Sequence, residues 1–273
     1  MSARRRPELW GVVNTTPDSF SDGGLFQQAN AAISQGLALV EQGASVVDVG
    51  GESTRPGASR VSPEEEEKRV IPVVKALAGG GVLVSVDTMR ASTARKAVDA
   101  GARIVNDVSG GLADPDMFSF VAEAGVDYVL MHWRGHSDTM DSLAQYDDVV
   151  SDVAQEIRVR LEEASQAGID PSRLLVDPGL GFAKTPEHNW SLLSHLDDLV
   201  PSGMRMVVGA SRKRFLGELL PGEHQPTERD GASAALGVLL AEAGVFALRV
   251  HHVKAHREAL DVWQAFHEGG PRE

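Results

Sequence analysis

Eight short apolar stretches run through this chain, and each is closed by a hydrogen-bonding or charged side chain. Asn14 closes residues 9–13, Glu52 follows 46–51, Asp87 closes 82–86, and Asn106 and Asp107 close 103–105. His132 closes residues 128–131, Asp177 closes 174–176, Ser211 and Lys213 follow 206–210, and Arg249 and His251 close 246–248. Continuous Val/Leu/Ile runs of this length read as strands buried on both faces, the mark of a parallel sheet. If such a sheet closes on itself, all the polar ends meet at one mouth. The pattern therefore predicts a fold and an active face together.

The segments between the strands carry helical spacing. Residues 27–43 place Ala29, Ile33, Leu37 and Val40 on one predicted face and end at Gly43. Ser62 followed by Pro63 predicts an N-cap with proline at the first helical position of a helix over 63–78. The four glutamates 64–67 then lie in the first turn, where the helix dipole favours negative charge. Further helices are predicted over 91–100, 116–124, 147–167, 186–195, 229–243 and 254–268. Eight strand–helix units in a chain of 273 residues favour a single (β/α)8 barrel over an open doubly wound sheet. The open sheet calls for a G-x-G-x-x-G turn after its first strand. Residues 15–24 read Thr-Thr-Pro-Asp-Ser-Phe-Ser-Asp-Gly-Gly instead. One domain is expected over 1–273, with 1–7 a frayed, solvated tail. The polar connections 15–26 and 52–62 are long for this fold and leave the predicted active face, so they are expected to be mobile and functional.

Composition narrows the chemistry. There is no cysteine, which excludes disulfides, thiolate nucleophiles and cysteine-held metals. The formal net charge of −13 argues against nucleic acid or an anionic membrane as partner. No apolar run reaches membrane-spanning length and the basic start is not followed by a signal-peptide core, so a cytoplasmic protein is expected. A Gly-x-Ser-x-Gly elbow and a His-Glu-x-x-His zinc helix are both missing. The histidines around 132 and 251 lack a supporting metal-ligand pattern.

Three groups of strand-end residues remain. Asp87, Asn106 and Asp177 offer acceptors and one amide. Each alone could cap a helix, but together they suit a flat heterocycle with an amino-amidine edge, since a carboxylate accepts two parallel N–H bonds. Lys213, Arg249, His251 and Arg55 are cationic or basic. Residues 249 and 251 share a strand face, and the loops after strands seven and eight of such barrels often hold phosphate. Asn14, at the first strand end, is either a loop cap or an oxygen ligand for Mg2+, which leans on substrate phosphates.

These residues fall in recognisable motifs. The run 14–24 (Asn-Thr-Thr-Pro-Asp-Ser-Phe-Ser-Asp-Gly-Gly) and the run 50–57 (Gly-Gly-Glu-Ser-Thr-Arg-Pro-Gly) resemble the two signatures of the dihydropteroate synthases. Ser85-Val86-Asp87-Thr88, residues 106–111, residues 177–182, residues 209–213 and Arg249-Val250-His251 follow in the family's order. The resemblance covers roughly residues 9–265. His252 departs from it, because the family commonly has an aspartate there. What the resemblance implies is the joining of 6-hydroxymethyl-7,8-dihydropterin diphosphate to p-aminobenzoate, with release of diphosphate. It implies a pterin site of Asp87, Asn106, Val108, Met131, Asp177, Phe182, Gly209 and Lys213. It implies diphosphate on Asn14, Arg55, Arg249 and His251, with Mg2+ beside Asn14. It implies p-aminobenzoate, and the sulfonamides that mimic it, among Phe20, Thr54, Pro56, Ser211 and Lys213. Asp18, Arg55 and Lys213 carry the catalytic expectation, and a homodimer through late barrel helices is implied as well. The alternatives are another pterin-binding barrel, such as a methyltetrahydrofolate methyltransferase, or a non-catalytic pterin-binding paralogue. The first has no need of the Ser-Thr-Arg-Pro-Gly loop or of the Arg249/His251 pair, and the second should have lost parts of the two long loops.

Overall fold

The computed structural model describes residues 5–15, 25–53, 60–136 and 139–270. Its strands are β1 (Glu8–Asn14), β2 (Val46–Gly50), β3 (Val84–Asp87), β4 (Ile104–Asp107), β5 (Asp127–Met131), β6 (Leu174–Asp177), β7 (Arg205–Val208) and β8 (Ala247–Val250). They pair in sequence order, all parallel, and β1 pairs with both β2 and β8. The sheet is a closed barrel, as the sequence predicts, and the open-sheet reading is set aside.

The helices are α1 (Leu25–Glu41), α2 (Pro63–Gly79), α3 (Ala91–Asp99), α4 (Met117–Ala124), α5 (Val149–Gln166), α6 (Pro186–Ser194), α7 (Leu196–Leu199), α8 (Arg214–Gly217), α9 (Asp230–Glu242) and α10 (Val253–Glu268). The expected spans hold to within two residues at each end, and the short α7 and α8 are additions. Ser62 caps α2 as predicted, its Oγ accepting from Glu65 N at 3.2 Å.

Alternation along the strands sorts the side chains into two cores. Outward residues such as Val47, Val49, Val84, Val86 and Val105 pack under the helices in one large cluster. Inward residues Trp10, Val46, Ile104, Val129, Leu175, Val207 and Ala247 fill the lower barrel in a second. Two residues further along the same inward face come Val12, Asp48, Asn106, Met131, Asp177, Gly209 and Arg249. The apolar plug thus gives way to a largely polar layer at the C-terminal ends, where barrels of this type place their chemistry.

Three expectations change. On α1 the buried face is Ala32, Gly36 and Leu39, while Leu37 and Val40 are exposed. The helix is turned so that Gly36 meets α2, where an added Cβ would lie 2.9 Å from a methyl of Leu77. Glu66, one of the four helix-start glutamates placed there for the helix dipole alone, is buried. It accepts from Thr88 Oγ1 at 2.7 Å, Arg90 Nη1 at 2.6 Å and Thr93 Oγ1 at 3.0 Å, which ties α2 to the start of α3. Residues 5–7 are not a loose tail. Pro7 is buried, Arg6 pairs with Asp261 and donates to Arg257 O at 3.2 Å, and Arg5 lies over the Phe246 ring.

Candidate active site

A cavity of about 590 Å³ opens at the C-terminal ends of the strands. Asn14, Asp87, Gly209, Ser211, Lys213, Arg249 and His251 all line it, so seven of the expected residues share one chamber. Asn106 and Asp177 are buried against the same cluster. Register explains this: Asp87 pairs with Asn106 across β3 and β4, and Met131 with Asp177 across β5 and β6. Gly209 brings β7 close to this group, since a Cβ built there would sit 3.4 Å from Asp177 Oδ2 and 3.9 Å from Arg249.

The electrostatics centre on Arg249. Its Nε donates to Asp48 Oδ2 at 2.5 Å and its Nη2 to Asp87 Oδ2 at 2.6 Å. Burial works against its charge, but the two carboxylates outweigh that and raise its pKa further. Asp87 moves the other way. Burial lifts it to about 7, with the attraction of Arg249 and the repulsion of Asp48 as the next influences. Burial also raises Asp177, against hydrogen bonds that include Gly179 N at 2.7 Å and against the Lys213 charge. Lys213 is lowered to about 8 by burial, and its ammonium stands 4.0 Å from the centre of the Phe182 ring. His251 meets Ser211, with ring Nδ1 3.1 Å from Ser211 Oγ. The site therefore sets carboxylates and cations against one another in a low-dielectric setting where both act strongly.

Val108, Met131 and Phe182 belong to one buried apolar cluster with Met89, Met140 and Ala183, and Trp133 packs against it. These are the three apolar residues that the resemblance implies for the pterin site. Beside them runs a polar chain that the sequence did not reveal. Lys184 is buried and donates to Gly179 O and Phe182 O, both at 3.1 Å. Its ammonium also lies 2.8 Å from His132 Nδ1, and His132 Nε2 is 2.9 Å from Glu156 Oε2. His132, without a role at the sequence level, is the link in this chain. Gly179 is dictated by the same crowding, because its φ is +67° and a Cβ there would lie 2.2 Å from His132 O.

Asp48 was also missed. It is fully buried and holds both Asn106 Nδ2, at 3.1 Å, and Arg249. A lone carboxylate inside a valine run, on the inward parity of its strand, is the signal that could have found it. Asp18, Phe20, Thr54, Arg55 and Pro56 lie outside the described residues. Glu52 and Ser53, at the start of the second long connection, do line the cavity.

A family model described as pterin binding enzyme matches residues 10–251. The dihydropteroate synthase of Mycobacterium leprae is 51% identical over 270 residues, covering 97% of this chain and 95% of that protein. The chain belongs to the dihydropteroate synthases. Solved synthase structures agree with the fold. The Xanthomonas albilineans dihydropteroate synthase with 4-aminobenzoic acid matches with TM-score 0.89 at 46% identity, over 96% of this chain and 93% of that one. The same protein in complex with 7,8-dihydropteroate matches with TM-score 0.86 at 43% identity, over 96% and 94%. The synthase cavity is thus framed by side chains from β1, β3 and β8 and from the loops after β2, β6 and β7. Among the synthase's described residues, no group of three His, Asp or Glu side chains could hold a metal by itself.

Proposed function

We propose that this synthase joins 6-hydroxymethyl-7,8-dihydropterin diphosphate to p-aminobenzoate with its residues in the following roles. Asp87, Asn106 and Asp177 take the hydrogen-bonding edge of the pterin. Val108, Met131, Phe182 and Gly209 enclose the ring, and Lys213 bonds it from the cation side. Arg249, His251 and Asn14 receive the diphosphate, and Arg55 joins them from the second long connection. Ser211, with Phe20, Thr54 and Pro56, shapes the p-aminobenzoate subsite, where sulfonamides compete. Asp18, Arg55 and Lys213 carry the catalytic expectation. The observation that supports this reading is one cavity where Asp87, of raised pKa, meets Arg249 and Lys213, with the raised Asp177 buried against the same groups.

Chemically, the CH2–O bond to diphosphate breaks and its electron pair leaves with the diphosphate. The electron-rich dihydropterin shares the positive charge left on carbon. The arylamine nitrogen then forms the new C–N bond and loses a proton. No protein nucleophile is required, so catalysis rests on placing the pterin, stabilising the departing charge and excluding water. Asn14 presents one amide oxygen in a cavity lined with phosphate-binding groups. That fits Mg2+, which keeps waters and leans on substrate phosphates, and the ion when bound would help neutralise diphosphate.

Exposed Leu239, Val262 and Phe266 on α9 and α10 support a homodimer through these late helices. No helix among the described residues is long and apolar enough to cross a membrane. A chain without cysteine suits a reducing, cytoplasmic setting, and its acidity disfavours nucleic-acid partners. Purified protein with Mg2+ and both substrates should yield 7,8-dihydropteroate. Folded protein that forms none overturns the reading.

A further inference from the structure

We infer that Asp48 is a positioning residue for pterin recognition, acting through the amide of Asn106. This rests on the placement of the pterin edge at Asp87, Asn106 and Asp177. Asp48 is fully buried, and the groups it holds, Asn106 and Arg249, stand between it and the site. Its side-chain hydrogen bonds among the described residues go to two groups, Asn106 Nδ2 at 3.1 Å and Arg249 Nε at 2.5 Å, both through Oδ2. Asp48 Oδ1 has no partner among the described residues.

The contrast with Asp107, next to Asn106 in sequence, shows what this means. Asp107 is equally buried, but it accepts from Ser109 N at 2.8 Å, Ser109 Oγ at 2.6 Å, Gly111 N at 2.9 Å and Tyr128 Oη at 2.7 Å. Those partners belong to the β4 loop and the β5 wall, so Asp107 holds the scaffold. Asp48 satisfies no loop and no turn. Burying a carboxylate is costly unless it is paired, and here its partners are two residues of the site. The Arg249 guanidinium supplies the opposite charge that makes the burial tolerable.

The consequence for recognition follows from donor and acceptor chemistry. A carboxylate accepts and does not donate. The Asn106 atom facing Asp48 is therefore Nδ2, and the amide oxygen is directed away from it. An amide free to rotate would offer a donor or an acceptor. Held by Asp48, Asn106 keeps its amide oxygen turned away from that carboxylate, and this oxygen adds an acceptor to those of Asp87 and Asp177. Such a set matches the N–H donors of a 2-amino-pterin and rejects an analogue carrying acceptors there.

The test measures binding of 6-hydroxymethylpterin by titration calorimetry, with melting temperature as a fold control. Asp48→Ala should weaken binding about tenfold or more, the scale of leaving a recognition group misaligned. Asp48→Asn, whose carbonyl oxygen can accept the same Nδ2–H, should return affinity to within about threefold of wild type. In an Asn106→Ala background, Asp48→Ala should add almost nothing, because the group it positions is gone. An unchanged affinity in folded Asp48→Ala overturns the inference, and so does an equal loss in both backgrounds. If Asp48→Ala does not fold, Asp48→Val, which fills more of the space without a carboxylate, carries the same comparison. Failure of both to fold assigns Asp48 to the scaffold and also overturns it. Wild-type protein that does not bind the pterin would instead overturn the site reading on which this rests.

Discussion

Lys184, in the loop that leaves β6, has its Nζ 2.8 Å from His132 Nδ1. The ammonium donates, so Nδ1 accepts and the ring proton sits on Nε2, facing Glu156. Burial, with the Lys184 charge next, holds His132 down at about 4, so the ring stays neutral at pH 7. Glu156 is held at about 2, its burial outweighed by the bonds from His132 and Arg134. Lys184 in turn fixes Gly179 O and Phe182 O, at two points of the loop that carries Asp177 and Phe182. His132→Ala should therefore lower stability by about 2–4 kcal/mol, as expected for breaking a buried polar network. It should also raise the KM for the pterin substrate more than it lowers kcat. Denaturant unfolding and steady-state kinetics check both, and an unaltered KM would contradict the positioning role of this chain.

Asp177→Ala should weaken pterin binding by about 2–5 kcal/mol, the range for removing one partner of a buried charged contact. Calorimetry with 6-hydroxymethylpterin reads this directly. A loss under about 0.5 kcal/mol, comparable to a neutral surface change, would mean that Asp177 does not touch the ring.

Pterin affinity should depend on pH through Asp87. Its pKa of about 7 in the folded protein lies above the ordinary 3.8, because burial outweighs Arg249. Below about 7 the carboxyl is protonated and can accept fewer N–H bonds; above it the carboxylate is complete. Affinity should rise with pH across this range, and Asp87→Asn should flatten the rise. The linkage to stability has the opposite sign. A raised folded pKa means that the group's favourable contribution is present below the unfolded value and lost as pH climbs through about 7. Asp87→Asn should thus gain stability relative to wild type at pH 8 and not at pH 4. Calorimetric and melting series over pH 4–9 test both halves.

Leu239, Val262 and Phe266 are 64%, 71% and 82% exposed on neighbouring helices, the surface through which the proposed homodimer would form. Val262→Asp with Phe266→Asp should halve the mass seen by light scattering while leaving the melt cooperative. A wild-type protein already monomeric at micromolar concentration would remove the dimer from the reading.

The barrel was legible because its signals are local. A valine run, a polar residue at its end and, after most of the long helices, a glycine repeat around the chain. The residues proposed for the pterin edge, Asp87, Asn106 and Asp177, were legible for the same reason, since they lie at strand ends. What escaped was set by tertiary contacts. Glu66 sits in a run of glutamates that the helix dipole explains equally well as solvent-facing, and only Thr88, Arg90 and Thr93 reveal its burial. Leu37 and Val40 fit an apolar stripe, but the close approach of Gly36 to Leu77 rotates the helix away from them. Asp48 and Lys184 lie off the strand ends, where the motif pattern does not look, and their partners are far away in sequence.

The closing seam between β1 and β8 has a consequence for how the protein is made. Arg249 meets Asp48 across 201 residues of chain, and β8 completes the cavity with Arg249 and His251. Contacts of such sequence separation form late, because the intervening loop must be closed before they return any energy. During synthesis, the acceptor side of the site exists on paper from β6 onward, while the cation that balances Asp48 and Asp87 has not yet left the ribosome. Two buried carboxylates without their counter-ion cannot settle into place. Ribosome-stalled chains ending before Ala247 should accordingly bind no pterin and remain protease-sensitive, and release of the last two elements should restore both properties together. The charge that balances the site thus arrives only with the strand that closes the barrel.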